Sequence, residues 1–219
     1  MAKVGNTITL SITAAENIQT PTVLIAGQSA SVSRVSGYTV WRATYTMQSS
    51  DSEGSVSLSI SFSDTLGNAA ITVTSTTNGS AVQFDKTAPT LNEVTRVPTP
   101  TSDNTPDYTF SSNEAGTIAY AGGCSSSDTS ADADNNTVTF NTLQDGTYSN
   151  CTVTVTDSAG NASSALAVTQ FTVAIPPVLA EVTAVPTPTS DNTPDYTFSS
   201  TEAGSITYGG SCSSSDNSS

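Results

Sequence analysis

The stretch LQDGTYSNCTVTVTDSAGNAS, residues 143–163, decides how this chain folds. Within it Val153 and Val155 alternate with Thr152, Thr154 and Thr156. That period of two marks a strand with one buried and one wet face. Asp-Gly on one side and Asp-Ser-Ala-Gly-Asn on the other supply turn chemistry. The same alternation recurs outward from it. Ile8, Leu10 and Ile12 alternate with Thr9 and Ser11, and Val56, Leu58, Ile60 and Phe62 alternate with serines. Thr and Ser suit the wet side of a pleated surface without adding charge. No segment sustains a 3.6-residue period. The pattern predicts a folded, all-β chain even though only 35% of the residues are hydrophobic.

Charge narrows the function classes. The 219 residues include 19 Asp and Glu against five Lys and Arg, and no His, for a net charge of −14. Such a surface repels phosphate backbones, so a nucleic-acid partner is not expected, while divalent cations are attracted. Without His, neither a Ser-His-Asp nor a Cys-His arrangement can be assembled. A paired-carboxylate hydrolase survives that filter, but the acidic residues sit in turns, and a catalytic unit repeated along a chain does not suit an enzyme. No run approaches the roughly 18 apolar residues of a membrane span, so membrane insertion by this segment is not expected, and the opening residues show no leader pattern.

The repeat is explicit. VPTPTSDNTPDYTFSS stands unchanged at residues 97–112 and 185–200, inside a longer match of 93–128 with 181–216. Of those 36 positions only Arg96, Asn113, Thr117, Ala119, Ala121 and Gly123 differ from their counterparts 88 residues on. A unit of 88 residues is too long for a solenoid turn and suits a sandwich of about seven short strands. SFSDTLGNA (61–69) and VTDSAGNAS (155–163) match more distantly, as do residues 5–16 and 103–114. The expected organisation is therefore tandem: residues 1–88 as a repeat without its first strand, 89–176 as a complete repeat, and 177–219 as the N-terminal half of a third. We read the chain as a piece of a longer array.

Within the complete repeat, strands are expected at residues 93–97, 107–111, 117–121, around Val138 and Phe140, at 151–156 and at 165–173. Leu143, Gly146 and Tyr148 form a Leu-x-Asp-Gly-x-Tyr run that resembles the tyrosine corner of immunoglobulin-like sandwiches, where the hydroxyl bonds back to the preceding loop. Tyr148 and Val153 have opposite parity, so an irregularity is expected near Ser149 and Asn150. Together, DKTAPTL (85–91), the two turns SDTLGNA and TDSAGNA, and DGTY resemble the bacterial immunoglobulin-like tandem repeats of large exported surface adhesins. The resemblance spans essentially the whole chain. It implies an extracellular, cell-surface stalk of stacked β-sandwiches, often stiffened by calcium at the domain junctions.

Three cysteines are present. In this topology Cys124 ends one strand and Cys151 opens its antiparallel neighbour, so a Cys124–Cys151 disulfide is expected, and with it an oxidising compartment. Cys212 is the counterpart of Cys124. Zinc would need more thiol or imidazole ligands than one repeat offers.

The turns that share the pole where the chain enters the second repeat carry Asn113 and Glu114 on one side, Asp157 and Asn161 on the other, and the incoming linker carries Asp85. Asp85, Glu114, Asp157 and Asn161 are thus candidate calcium ligands, because that ion takes six to eight oxygens. Glu16 and Asp64 are the first repeat's counterparts. At the next junction Glu202 remains but the linker FTVAIPPVL has no Asp, so a weaker site is expected there. The Asp128, Asp132 and Asp134 loop is a second, lesser candidate. Trp41 and Tyr120 are expected in the core, the latter beside Phe110. The reading is a non-enzymatic stalk segment whose partners are neighbouring immunoglobulin-like domains of the same chain. A host or surface ligand would be met through other parts of the parent. Two alternatives stand beside it: an accessory spacer of a secreted hydrolase, and a module that itself binds carbohydrate or host protein.

Overall fold

A computed structural model describes residues 1–218, and every regular element among them is a strand. The first repeat contains β1 (Thr7–Thr13), β2 (Thr22–Ile25), β3 (Gln28–Ser29), β4 (Ser31–Ser36), β5 (Val40–Thr46), β6 (Gly54–Ser55), β7 (Leu58–Ser61) and β8 (Gln83–Phe84). They form sheets in the orders β1-β5-β4 and β3-β2-β7, with a short β6-β8 pair. Val23, Ile25, Ala43 and Ile60 are buried between the two larger sheets, while Ile8, Leu10 and Ile12 of β1 are only half-buried. Trp41 is buried, and its Nε1 donates to the Tyr38 carbonyl at 3.2 Å. Ala2 runs parallel beside Phe84.

The second repeat contains β9 (Leu91–Thr95), β10 (Asp107–Ser112), β11 (Gly116–Ala121), β12 (Ser130–Ala131), β13 (Asp134–Thr139), β14 (Gly146–Tyr148), β15 (Thr152–Thr156), β16 (Leu166–Ala167) and β17 (Phe171–Val173). One sheet runs β13-β10-β9 and the other β12-β11-β15-β16, with β14 and β17 as a separate antiparallel pair. This is the strand partition of an immunoglobulin-like sandwich. Side chains from both sheets share one core, in which Tyr108, Phe110, Val153 and Val155 are fully buried. Phe140 lies between Tyr108 and Phe171, with centroids 5.9 and 6.1 Å away.

Three expectations need correction. The first strand runs over Leu91–Thr95 rather than 93–97, because its register slips opposite Thr109 and Phe110 and Val97 then turns into the core ahead of Pro98. The last strand is two pieces: β16 pairs with β15, β17 with β14. Between them Thr169 is drawn to Glu93, its amide on Oε2 at 2.9 Å and its hydroxyl on Oε1 at 2.7 Å. Tyr120 meets Phe140 edge-on at 6.5 Å instead of flanking Phe110, and its hydroxyl donates to the Asp128 carbonyl. The irregularity near Ser149 and Asn150 is present as the break between β14 and β15.

In the third repeat β18 (Leu179–Thr183) and β19 (Thr197–Ser200) pair with each other, and all five residues of β18 are exposed. Cys212 is free and exposed.

Candidate metal centre at the first junction

The centre begins with a turn that folds itself. In Asp157-Ser-Ala-Gly-Asn161 the Asp157 Oδ1 accepts the amides of Ala159, Gly160 and Asn161 at 2.8, 2.7 and 2.8 Å. Gly160 takes φ +91°, a region where a side chain is strained. Asn161 Nδ2 donates to Asp157 Oδ2 at 2.9 Å and to the Asp85 carbonyl at 3.2 Å. Asn161 therefore braces the turn against the incoming linker. Burial works against the Asp157 charge, but the Asn161 side chain and the three amides outweigh it and hold its pKa below the usual range.

The second wall is the turn after β10. Thr90 donates its amide to Asn113 Oδ1 at 2.6 Å, and the Asn113 amide returns a bond to the Thr90 carbonyl at 3.3 Å. The linker is thereby stitched to this turn just before β9. Glu114 follows, and the carboxylate oxygens of Asp85, Glu114 and Asp157 come within 4.8 Å of one another. Burial, then the charges of Asp85, Asp157 and Glu53, raise the Glu114 pKa.

Nearby cations do not relieve this repulsion. Lys86 Nζ donates to the carbonyls of Ser49 and Asp51 at 2.9 and 2.8 Å, and Lys3 Nζ to the Gly160 carbonyl at 2.5 Å. Among the described residues the one salt bridge is Arg96–Glu93, elsewhere in the repeat. Donor chemistry fits a hard cation. Ligands on opposite sides of calcium are about 5 Å apart, twice its usual metal–oxygen distance, so three oxygens within 4.8 Å can share one ion. A softer metal has no imidazole to use, and Cys124 and Cys151 are joined, with Cα atoms 5.3 Å apart.

Of the sequence candidates, Asp85, Glu114 and Asp157 are brought together, with Asn161 as their brace. Asp128, Asp132 and Asp134 are not gathered into such a group among the described residues. Asp128 instead accepts the Thr139 amide and the Ser126 hydroxyl. Leu143 is buried, Gly146 sits at φ +153°, and the Tyr148 hydroxyl donates to the Gln144 carbonyl at 2.9 Å while accepting its amide at 3.0 Å. Sequence reasoning missed Glu53. Its Oε1 accepts the Lys86 amide at 2.9 Å and the Thr87 hydroxyl at 2.6 Å, tying the linker to the first repeat. No motif marks Glu53; only its neighbours in space do.

The chain is thus all-β, with an immunoglobulin-like strand order over residues 91–173 and an acidic cluster of Asp85, Glu114 and Asp157 at the start of that unit. No family model and no curated protein matches it. Among solved structures it is similar to the D00-D0 domain of Intimin, at 11% identity and a TM-score of 0.33, covering 80% of this chain and 95% of that one. It is also similar to SGBP-B of the Bacteroides ovatus mixed-linkage glucan utilization locus, solved with a mixed-linkage heptasaccharide, at 19% identity and a TM-score of 0.26. That match covers 81% of this chain and 43% of the other.

Proposed function

We propose that this chain is a non-enzymatic stalk segment of an exported bacterial surface protein of the adhesive kind, with calcium clamping the junction of its first two repeats. The observation that carries the clamp is the meeting of Asp85, Glu114 and Asp157, from three separate segments, without a salt-bridge partner among the described residues. Each segment belongs to a different part of the junction: linker, second-strand turn and penultimate turn. An ion bound by all three would fix the linker against both turns. Asn161 and Asn113 already hold the linker in place, so binding would need little reorganisation.

Support for an exported setting comes from the Cys124–Cys151 disulfide, since such bonds persist in oxidising compartments. A module that binds glycan itself would want an aromatic platform. The exposed tyrosines Tyr38 and Tyr196 instead stand in separate repeats. The test is thermal unfolding of the full chain in chelator and in millimolar calcium. The proposal expects a rise in Tm with calcium that magnesium at equal concentration does not match. A Tm indifferent to calcium would remove the clamp from the account.

A further inference from the structure

We propose that Asn78 is a site of spontaneous covalent modification, its side-chain amide closing onto the Gly79 nitrogen to give a succinimide that water opens to aspartate or isoaspartate. Asn78-Gly79 is the one Asn-Gly pair in the sequence. Glycine matters here because any other residue's side chain would shield its own amide nitrogen from attack. The pair stands in a turn of the first repeat, where Gly79 donates its amide to the Thr76 carbonyl at 3.4 Å and takes φ +72°. A bond that long holds the N–H weakly, so solvent base can take its proton. Asn78, Gly79 and Ser80 are exposed, and a Cβ placed on Gly79 would meet nothing within 4 Å. Asn78 Oδ1 accepts the Ser80 amide at 3.1 Å, which draws electron density from the side-chain carbonyl carbon and makes it a better electrophile. The Thr76 hydroxyl closes the turn by donating to the Ser80 carbonyl at 2.7 Å.

The reaction needs no co-reactant but water. The Gly79 nitrogen, its proton given to solvent, bonds to Cγ of Asn78; the Cγ–Nδ2 bond breaks, and Nδ2 takes a proton back and leaves as ammonia. Water then adds to one of the two imide carbonyls. Attack at Cγ breaks the new bond and leaves aspartate. Attack at the backbone carbonyl breaks the original peptide bond, so the main chain runs through Cγ as isoaspartate. Either product carries one more negative charge than the parent. Other positions are held back. Asn68 and Asn161 each precede Ala, and their side chains are tied to Asp64 and Asp157. Asp145-Gly146 shares the glycine, but the Asp145 carboxylate accepts the Ile175 amide at 2.9 Å, and Gly146 is paired with Val173. A carboxylate is also a poorer electrophile than an amide. The base of the Asn78 loop is fixed within the repeat: Val73 and Ile60 exchange backbone bonds at 2.9 and 3.0 Å, and the Val82 carbonyl accepts the Val56 amide at 2.9 Å. The change is therefore confined to the turn, and the sandwich stays folded.

The test is peptide-mapping mass spectrometry on the full chain aged at neutral and at mildly alkaline pH, both folded and in guanidinium chloride. Trypsin releases residues 43–86 as one peptide whose asparagines are Asn68 and Asn78, so Asn68 is an internal control. The proposal expects the peptide to lose one ammonia and then gain one water, faster at the higher pH. Backbone fragment ions should place isoaspartate at position 78 while Asn68 stays intact. Conversion should be at least as fast in the folded chain as in the denatured one, because the turn presents the reacting atoms rather than hiding them. Gly79→Ala should slow it severalfold in guanidinium chloride, where strain in the turn plays no part, and the Tm of the aged protein should match that of fresh protein. Asn78 intact after ageing, conversion slower in the folded chain than in the denatured one, or Asn68 reacting first would overturn the proposal. So would Gly79→Ala ageing at the parent's rate.

Discussion

Asp157 and Asp64 show how one carboxylate organises a turn. Asp64 Oδ1 accepts the amides of Leu66 and Asn68 at 2.8 and 2.9 Å, and Oδ2 accepts Asn68 Nδ2 at 2.7 Å, repeating the Asp157 pattern. Both pKa values are held below the ordinary 3.8. A depressed folded-state pKa contributes stability above the ordinary value that is lost as pH falls through the folded one. Asp157→Asn should therefore lower stability near neutrality and flatten the acid limb below 3.8, read by urea unfolding across pH. Glu114 behaves in the opposite sense. Its raised pKa means that stability is fully present below the ordinary 4.5 and is lost as pH rises through the folded value. Glu114→Gln should stabilise the calcium-free protein at neutral pH and weaken its response to calcium, both measurable by thermal melts. The Asp-x-x-x-Asn spacing made this turn legible in the sequence. Tyr108 was legible as core but not as a buried hydroxyl. Among the described residues no group lies within bonding geometry of it, and burial followed by the Glu93 charge pushes its pKa well up.

Individual elements are held by a few contacts that local pattern only partly announces. The disulfide closes a separation of 27 residues, which corresponds to about 3.5 kcal/mol in the chain-entropy account. Replacing Cys124 and Cys151 together by Ser should lower the Tm of the second repeat by more than about 10 °C, read by calorimetry. Tyr148→Phe should cost about 1–2 kcal/mol, because the Gln144 amide and carbonyl both lose their partner. Gly122, at φ +79°, has no room for a Cβ, which would stand 2.0 Å from the Asn150 carbonyl oxygen. The corner and the disulfide could be read from DGTY and from the placement of two cysteines. The divided last strand left a fainter trace: in LAVTQFTV the apolar positions shift parity at Thr169 and Gln170, from Leu166 and Val168 to Phe171 and Val173. Its break depends on Glu93, 76 positions away from Thr169. The parallel contact of Thr101 with Val173 was likewise hidden in a Pro-rich loop that reads as unpaired.

At the scale of the whole molecule, repeats differ in how completely they are sealed, and the first junction is where sequence and structure meet most closely. Among the described residues the second repeat's buried apolar side chains form one cluster of fifteen, whereas in the first repeat the cluster between the sheets holds four and Trp41, Met47 and Phe84 are buried outside it, so partial unfolding should begin in the first. Across the junction, Lys86 and Glu53 anchor the linker to one sandwich while Asn113 and Asn161 anchor it to the next. The three carboxylates between those anchors are the place for the proposed ion. Isothermal titration of calcium into the full chain and into Asp85→Asn, at matched pH and salt, tests this most directly. The account predicts a dominant site of one ion per chain in the parent that is lost or weakened at least tenfold in Asp85→Asn, about 1.4 kcal/mol or more. Identical isotherms for the two proteins, or no binding heat in either, would contradict it.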